Sequence, residues 1–132
     1  MSKTDYQEAA VLNALSGLYA GLLVGASDPA VAALEGATAT EASYSGYVRQ
    51  AVTLGALEGS GDDDATPSVR KNTNEMTFPA VAGSPITVRR IGFFDAEEAG
   101  NMKYYSDTDL NTAVAVGVQP HFAEEAITVS EK

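Results

Sequence analysis

The sequence predicts a mainly β protein, an antiparallel β-sandwich or jelly-roll of about seven strands led by one N-terminal helix. Three observations predict it. From Ala37 onward, short apolar or alternating runs recur between turn residues. After residue 36 no strand signal is followed by a crossover helix, which argues against a βαβ sheet. A single capped amphipathic stripe opens the chain.

The elements follow in order. Thr4 and Gln7 have the spacing of a capping box. Val11, Leu15 and Leu18 fall at i, i+4 and i+7, Leu12 widens the stripe, and Gly17 is placed as a left-handed stop. These predict a helix from about Asp5 to Ser16 within an N-terminal segment, 1–17. Leu18–Val24 is a compact apolar run with a glycine inside, and it reads as a buried strand. Ser27-Asp28-Pro29 has the form of an N-cap with a first-turn proline. It predicts a short helix, Ala30 to Glu35, closed by Gly36 inside an alanine-rich insert, 29–40.

Tyr47 to Leu54 alternates without a cleanly apolar face, as at a sandwich rim or a subunit contact. Residues 58–68 form an exposed acidic loop. Asn74 to Phe78 is a brief strand stopped by Pro79, and Ile86 to Phe94 is the strongest strand, ending at the Asp95 turn. After the loop Ala96 to Asn101, Met102 to Ser106 return as its hairpin partner. Thr112 to Val118 and Ala126 to Ser130 complete the set. No repeat or boundary divides the chain, so 1–132 reads as a single domain, long enough to bury a core without staples.

Composition narrows the function. With 45% hydrophobic and 20% charged residues the chain is globular. Its longest apolar run, Leu18 to Ala26, falls far short of the ~20 residues that cross a bilayer, and no basic n-region precedes it. Neither a membrane span nor a signal peptide is expected. With no cysteine, disulfides, thiolate nucleophiles and iron–sulfur clusters are excluded. A net charge of -10 leaves little with which to neutralise phosphates, so neither nucleic acid nor a membrane is an expected partner. The acidity has two readings, plain solubility or a halophilic setting; the scarcity of lysine leans to the second.

No candidate site amounts to a catalytic centre. Gly59-Ser60-Gly61 lacks the strand-to-helix context of a phosphate loop. Asp62, Asp63 and Asp64 are weak candidates for a hard cation, because consecutive loop residues rarely converge; a solvated acidic turn is the simpler reading. His121 has no nucleophile elbow to serve, and reads as a structural histidine near a strand end. Glu97-Glu98 and Glu124-Glu125 are adjacent, so on a strand they face opposite sides. The expectation is therefore no catalytic residue, no cofactor, no metal and no enzymatic activity. Arg89-Arg90 on the best strand places one arginine inward or at an edge, for interface pairing or edge protection. The expected interface residues are Val11, Leu15, Leu18, Tyr47, Arg49, Arg89 and Arg90, in a homo-oligomer, trimer or pentamer.

Several blocks carry a resemblance. They are Tyr19-Ala20-Gly21-Leu22, Gly46-Tyr47-Val48-Arg49-Gln50-Ala51-Val52, Met76-Thr77-Phe78-Pro79, Ile91-Gly92-Phe93-Phe94-Asp95 and Gly100-Asn101-Met102-Lys103-Tyr104-Tyr105. In this order they resemble a family of small virion proteins of tailed viruses, the tail-fibre-like or head-decoration proteins. The acidic composition resembles a member from a virus of salt-loving archaea. The sequence departs from the family in its alanine-rich insert and in Gln119-Pro120 before the penultimate strand. The resemblance implies a β-rich, non-enzymatic virion structural protein on the surface of head or tail. Its implied partners are itself and other virion proteins such as the major capsid protein. Lacking long repeats or a coiled-coil shaft, the chain reads first as a capsid decoration (cement or turret) protein. The alternative is a tail- or fibre-associated protein with a receptor-binding or adaptor role. A small hydrolase or sugar-binding module is a third reading.

Overall fold

The structure is a computed structural model and describes residues 16–56, 68–106 and 109–131. The expected N-terminal helix up to Leu15, with Val11, and the loop holding Asp62, Asp63 and Asp64 lie outside the described residues. The fold is mainly β and antiparallel. Its strands are β1 (Leu18–Val24), β2 (Gln50–Val52), β3 (Ser68–Lys71), β4 (Met76–Thr77), β5 (Ile86–Phe94), β6 (Met102–Tyr105), β7 (Thr112–Val114), β8 (His121–Phe122) and β9 (Thr128–Glu131). One short helix, α1 (Val31–Glu35), lies between β1 and β2.

A five-stranded sheet runs β2-β1-β5-β6, with β7 pairing the other half of the same edge of β5. Two ribbons, β3-β9 and β4-β8, complete the sandwich. Strand alternation sorts the side chains of β1: Leu18, Ala20 and Leu22 point into the main core, and Leu23 points the other way. Opposite them, Ile91 and Phe93 of β5 face the main core, which the ribbon side closes with Met76, Phe78, Val81 and Ile127. Behind the sheet, Leu23 packs with Leu34 of α1 and Phe94 of β5, so the insert covers the second face.

β1 and β5 match the expected Leu18–Val24 and Ile86–Phe94 residue for residue. Other expectations shrink or shift. The run Tyr47 to Leu54 is a strand only over Gln50–Val52, and Thr112 to Val118 only over Thr112–Val114. Asp28 does not cap α1. The N-cap is Ala30, without a side-chain bond, and Asp28 reaches Arg90 instead. Gly36 closes the helix through its N–H with a right-handed φ of -82°, and the left-handed position falls on Ala37 at φ 56°.

Arg89-Arg90 resolves through a bulge. Leu23 pairs with Arg90 but Val24 with Val88, so β5 carries one residue more than β1 here. Val88 and Ile91 both face the main core, while Arg90, opposite Leu23, lies on the second face with its side chain 12% exposed. Both arginines lie on the stretch of β5 between its pairing with β7, which ends at Val88, and its pairing with β6, which begins at Gly92.

Candidate functional site

A densely bonded cluster sits behind the sheet, where the insert, the approach to β2 and the β5–β6 loop meet. Its floor is bare backbone: Gly21 of β1 pairs with Gly92 of β5. A Cβ on Gly21 would stand 2.8 Å from Phe94 Cε2, and one on Gly92 would stand 3.0 Å from the same atom. The Phe94 ring thus lies over two glycines, and no other residue type leaves it that space. The guanidinium carbon of Arg49 lies 3.6 Å from the centre of that ring.

Glu41 organises the rest. Main-chain bonds on either side of it, Val24 N–H to Thr40 O and Ala42 N–H to Leu22 O, hold it along the edge of β1 beyond β2. Arg49 forks onto its carboxylate, Nε to Oε2 and NH2 to Oε1, both at 2.8 Å. Tyr47 donates its hydroxyl to Oε2 at 2.6 Å and accepts the N–H of Leu22 at 3.0 Å. Gly46, at φ 88°, makes the turn that aims Tyr47 here, closed by Tyr47 N–H to Tyr44 O. Arg49 NH1 then donates to the carbonyls of Ala96 and Ala99, at 2.9 and 2.6 Å. With its side chain only 9% exposed, Arg49 joins three separate stretches of chain.

The electrostatics follow from these contacts. Burial, reinforced by the Glu41 carboxylate that accepts its proton, pushes the Tyr47 hydroxyl far above the ordinary phenol range. The bond to Glu41 also raises Arg49, so it stays charged. Each polar atom of the clamp has a structural partner, and no buried side-chain nitrogen or oxygen among the described residues is left without one. The clamp's chemistry is mechanical: it fixes the 96–99 loop and turns Glu97 and Glu98, both exposed, toward a cleft of about 290 Å³ lined also by Ser43 and Val48.

Of the expected interface residues, Tyr47 and Arg49 meet in this clamp, and Leu18 is buried in the main core. Arg89 and Arg90 have partners within the chain. Arg89 donates to the carbonyls of Gly25 and Ala26 and to Asp109 and Asn111. Arg90 forks onto Asp28, at 2.8 and 2.7 Å, and donates to Ser106 O. That pairing holds the Asp28 carboxyl below its usual range. His121 lies on β8 with Nε2 3.5 Å from Glu75, both side chains well exposed. Among the described residues no group of three or more His, Asp or Glu is placed to hold a metal ion.

Glu41 escaped the sequence reading, since a lone acid among small polar residues carries no periodic signal. Asn72 escaped it too. Fully buried, Asn72 donates to Asn74 O and Ala123 O and accepts from Ile127 N–H, tying β3 to the turn before β9. The blocks that carry the resemblance do converge: Tyr47 and Arg49 from one, Phe94 from another and Gly21 from a third build this one clamp.

The family model described as podophage GP4 fiber I protein gp80 matches residues 2–130. No curated protein matches the chain. The chain belongs to the podophage GP4 fiber I protein gp80 family, a family of tailed-virus virion proteins.

Proposed function

We propose that the protein is a tail-fibre-associated structural subunit of the virion, non-enzymatic, acting as an adaptor through contacts with other virion proteins and with copies of itself. The observation that carries this reading is the family match, which names a fibre protein and runs over residues 2–130. It favours the fibre alternative over the capsid-decoration reading drawn from the missing shaft and repeats. A small domain can contribute to a fibre by stacking or capping, without a coiled coil of its own.

The geometry supports the same reading. The half-buried ionisable groups Glu41, Tyr47, Arg49, Arg89 and Arg90 are engaged in bonds that hold loops on a sheet. A rigid scaffold with fixed loops is what a docking protein requires. Quantitative mass spectrometry of purified virions tests the reading. The expected result is a copy number on the scale of the tail proteins. A copy number comparable to that of the major capsid protein would contradict it.

A further inference from the structure

The chain carries a net charge of -10, yet two of its segments, Met76–Val88 and Leu110–Pro120, contain no charged residue. The fold lays them side by side. Phe78 N–H donates to Pro120 O at 2.8 Å, Val81 N–H to Val118 O at 3.0 Å and Gly117 N–H to Val81 O at 2.8 Å. β7 pairs with the start of β5, Ile86 opposite Val114. This surface also gathers exposed apolar side chains: Leu110, Val116 and Val118 stand 38%, 51% and 50% exposed.

The sandwich is open here. A cavity of about 190 Å³, with Leu110, Phe122 and, at the margin of the uncharged segments, His121 in its lining, reaches the core residues Val88 and Val114. β7 is an edge strand, with β5 as its one strand neighbour among the described residues. Lysine, inward charge and proline are the usual guards of a free edge, and Leu110–Gln119 holds none of them.

We propose that this uncharged face docks on the same face of a second copy of the chain. A charged partner gains nothing from a surface without charge. Two copies repel one another over ~10 Å at 0.1 M salt, so their least costly approach puts the uncharged faces together and the acids outward. In a two-fold contact each patch meets itself. An acidic patch would meet its own sign there, whereas a neutral apolar patch is compatible with itself. The contact covers Val116, Val118 and the cavity mouth, and lays the two β7 edges together.

The inference deepens the fibre reading by naming a partner and a face. Its test is made in solution without virions, so its failure leaves the location of the protein in the virion untouched. Light scattering over a concentration series compares the full chain with Val116→Glu, Val118→Glu and the control Val31→Glu, an exposed position on α1. Circular dichroism checks that each variant folds. Should a glutamate variant not fold, Val116→Ser with Val118→Ser makes the same comparison. The expected result is a dimer in the wild type and in Val31→Glu, tighter at high salt, with association weakened at least about tenfold by either face substitution. A wild type that stays monomeric at every concentration overturns the proposal. So does a dimer that survives the face substitutions, or one lost equally in Val31→Glu.

Discussion

Gly21 lies directly beneath Glu41: a Cβ placed on the glycine would stand 2.6 Å from Glu41 Oε2, the oxygen that takes both Tyr47 and Arg49. The clamp therefore needs a residue without a side chain in the middle of β1, five of whose seven residues are buried. Glycine costs a strand conformational entropy and packing, and here it provides the only space in which the carboxylate and the Phe94 ring fit.

Gly21→Ala is expected to destabilise the fold by about 1–3 kcal/mol through overpacking. Its Cβ meets a carboxylate and a ring that other bonds hold in place. Gly92→Ala is expected to cost less, since its closest contact, at 2.8 Å, is Met102 Sδ on a flexible side chain. Urea denaturation of the two variants gives the order, and an equal or reversed order would count against the fixed clamp.

Arg49→Met leaves Glu41, of its donors Tyr47 and Arg49, with Tyr47 alone, and takes the guanidinium from the carbonyls of Ala96 and Ala99. The pair is half-buried, and removing its cation is expected to cost about 1–3 kcal/mol, the range for hydrogen bonds left unmade at a charged group. Arg49→Lys keeps the charge but loses the fork, and is expected not to restore stability. The double variant Glu41→Gln/Arg49→Met should cost clearly less than the sum of its single changes, as coupled partners do. Additive losses would show that the pair is not coupled.

Tyr47 gives the protein an alkaline limit. Its folded pKa lies above the ordinary value of 10.0, so its contribution is complete below pH 10 and is lost as pH rises beyond it, by up to about 1.4 kcal/mol per pH unit. Tyr47→Phe is expected to be less stable at neutral pH by about 1–3 kcal/mol, because Glu41 and the Leu22 N–H lose a partner. It should also lose part of the steep decline above pH 10. Denaturant midpoints at pH 7 and pH 10.5 check both expectations, and parallel curves for the two proteins would contradict the assignment.

Asn72→Asp keeps the shape but turns the amide nitrogen, which faces the carbonyls of Asn74 and Ala123, into an oxygen. An ionised carboxylate there would be buried against two acceptors, at a cost of roughly 3 kcal/mol or more. Its folded pKa is then raised, so the deficit should be small below about pH 4 and grow as pH rises. A deficit independent of pH would refute the burial of this side chain.

The two long strands were legible because β1 is a continuous apolar run and β5 is a nine-residue stretch rich in β-branched and aromatic residues, broken in charge only by Arg89 and Arg90. β3 and β8 were not: Ser68–Lys71 is polar and His121–Phe122 very short, and both pair with partners far away in sequence. The bulge at Arg89 exists only through the register with β1, which no local pattern carries. Tyr47 to Leu54 alternates as a strand does, but Tyr47 and Arg49 are drawn into the clamp and the ladder begins at Gln50. The clamp was half visible. Its glycines, tyrosine and arginine stood in the blocks that carry the resemblance, while Glu41, on which they converge, had no sequence signal.

Immunogold labelling of intact virions, with antibody raised against the full chain, tests the central claim most directly. Gold on the tail fibres with the head surface clear is the result expected of a fibre-associated subunit. Gold spread over the head, with the tail unlabelled, would contradict it.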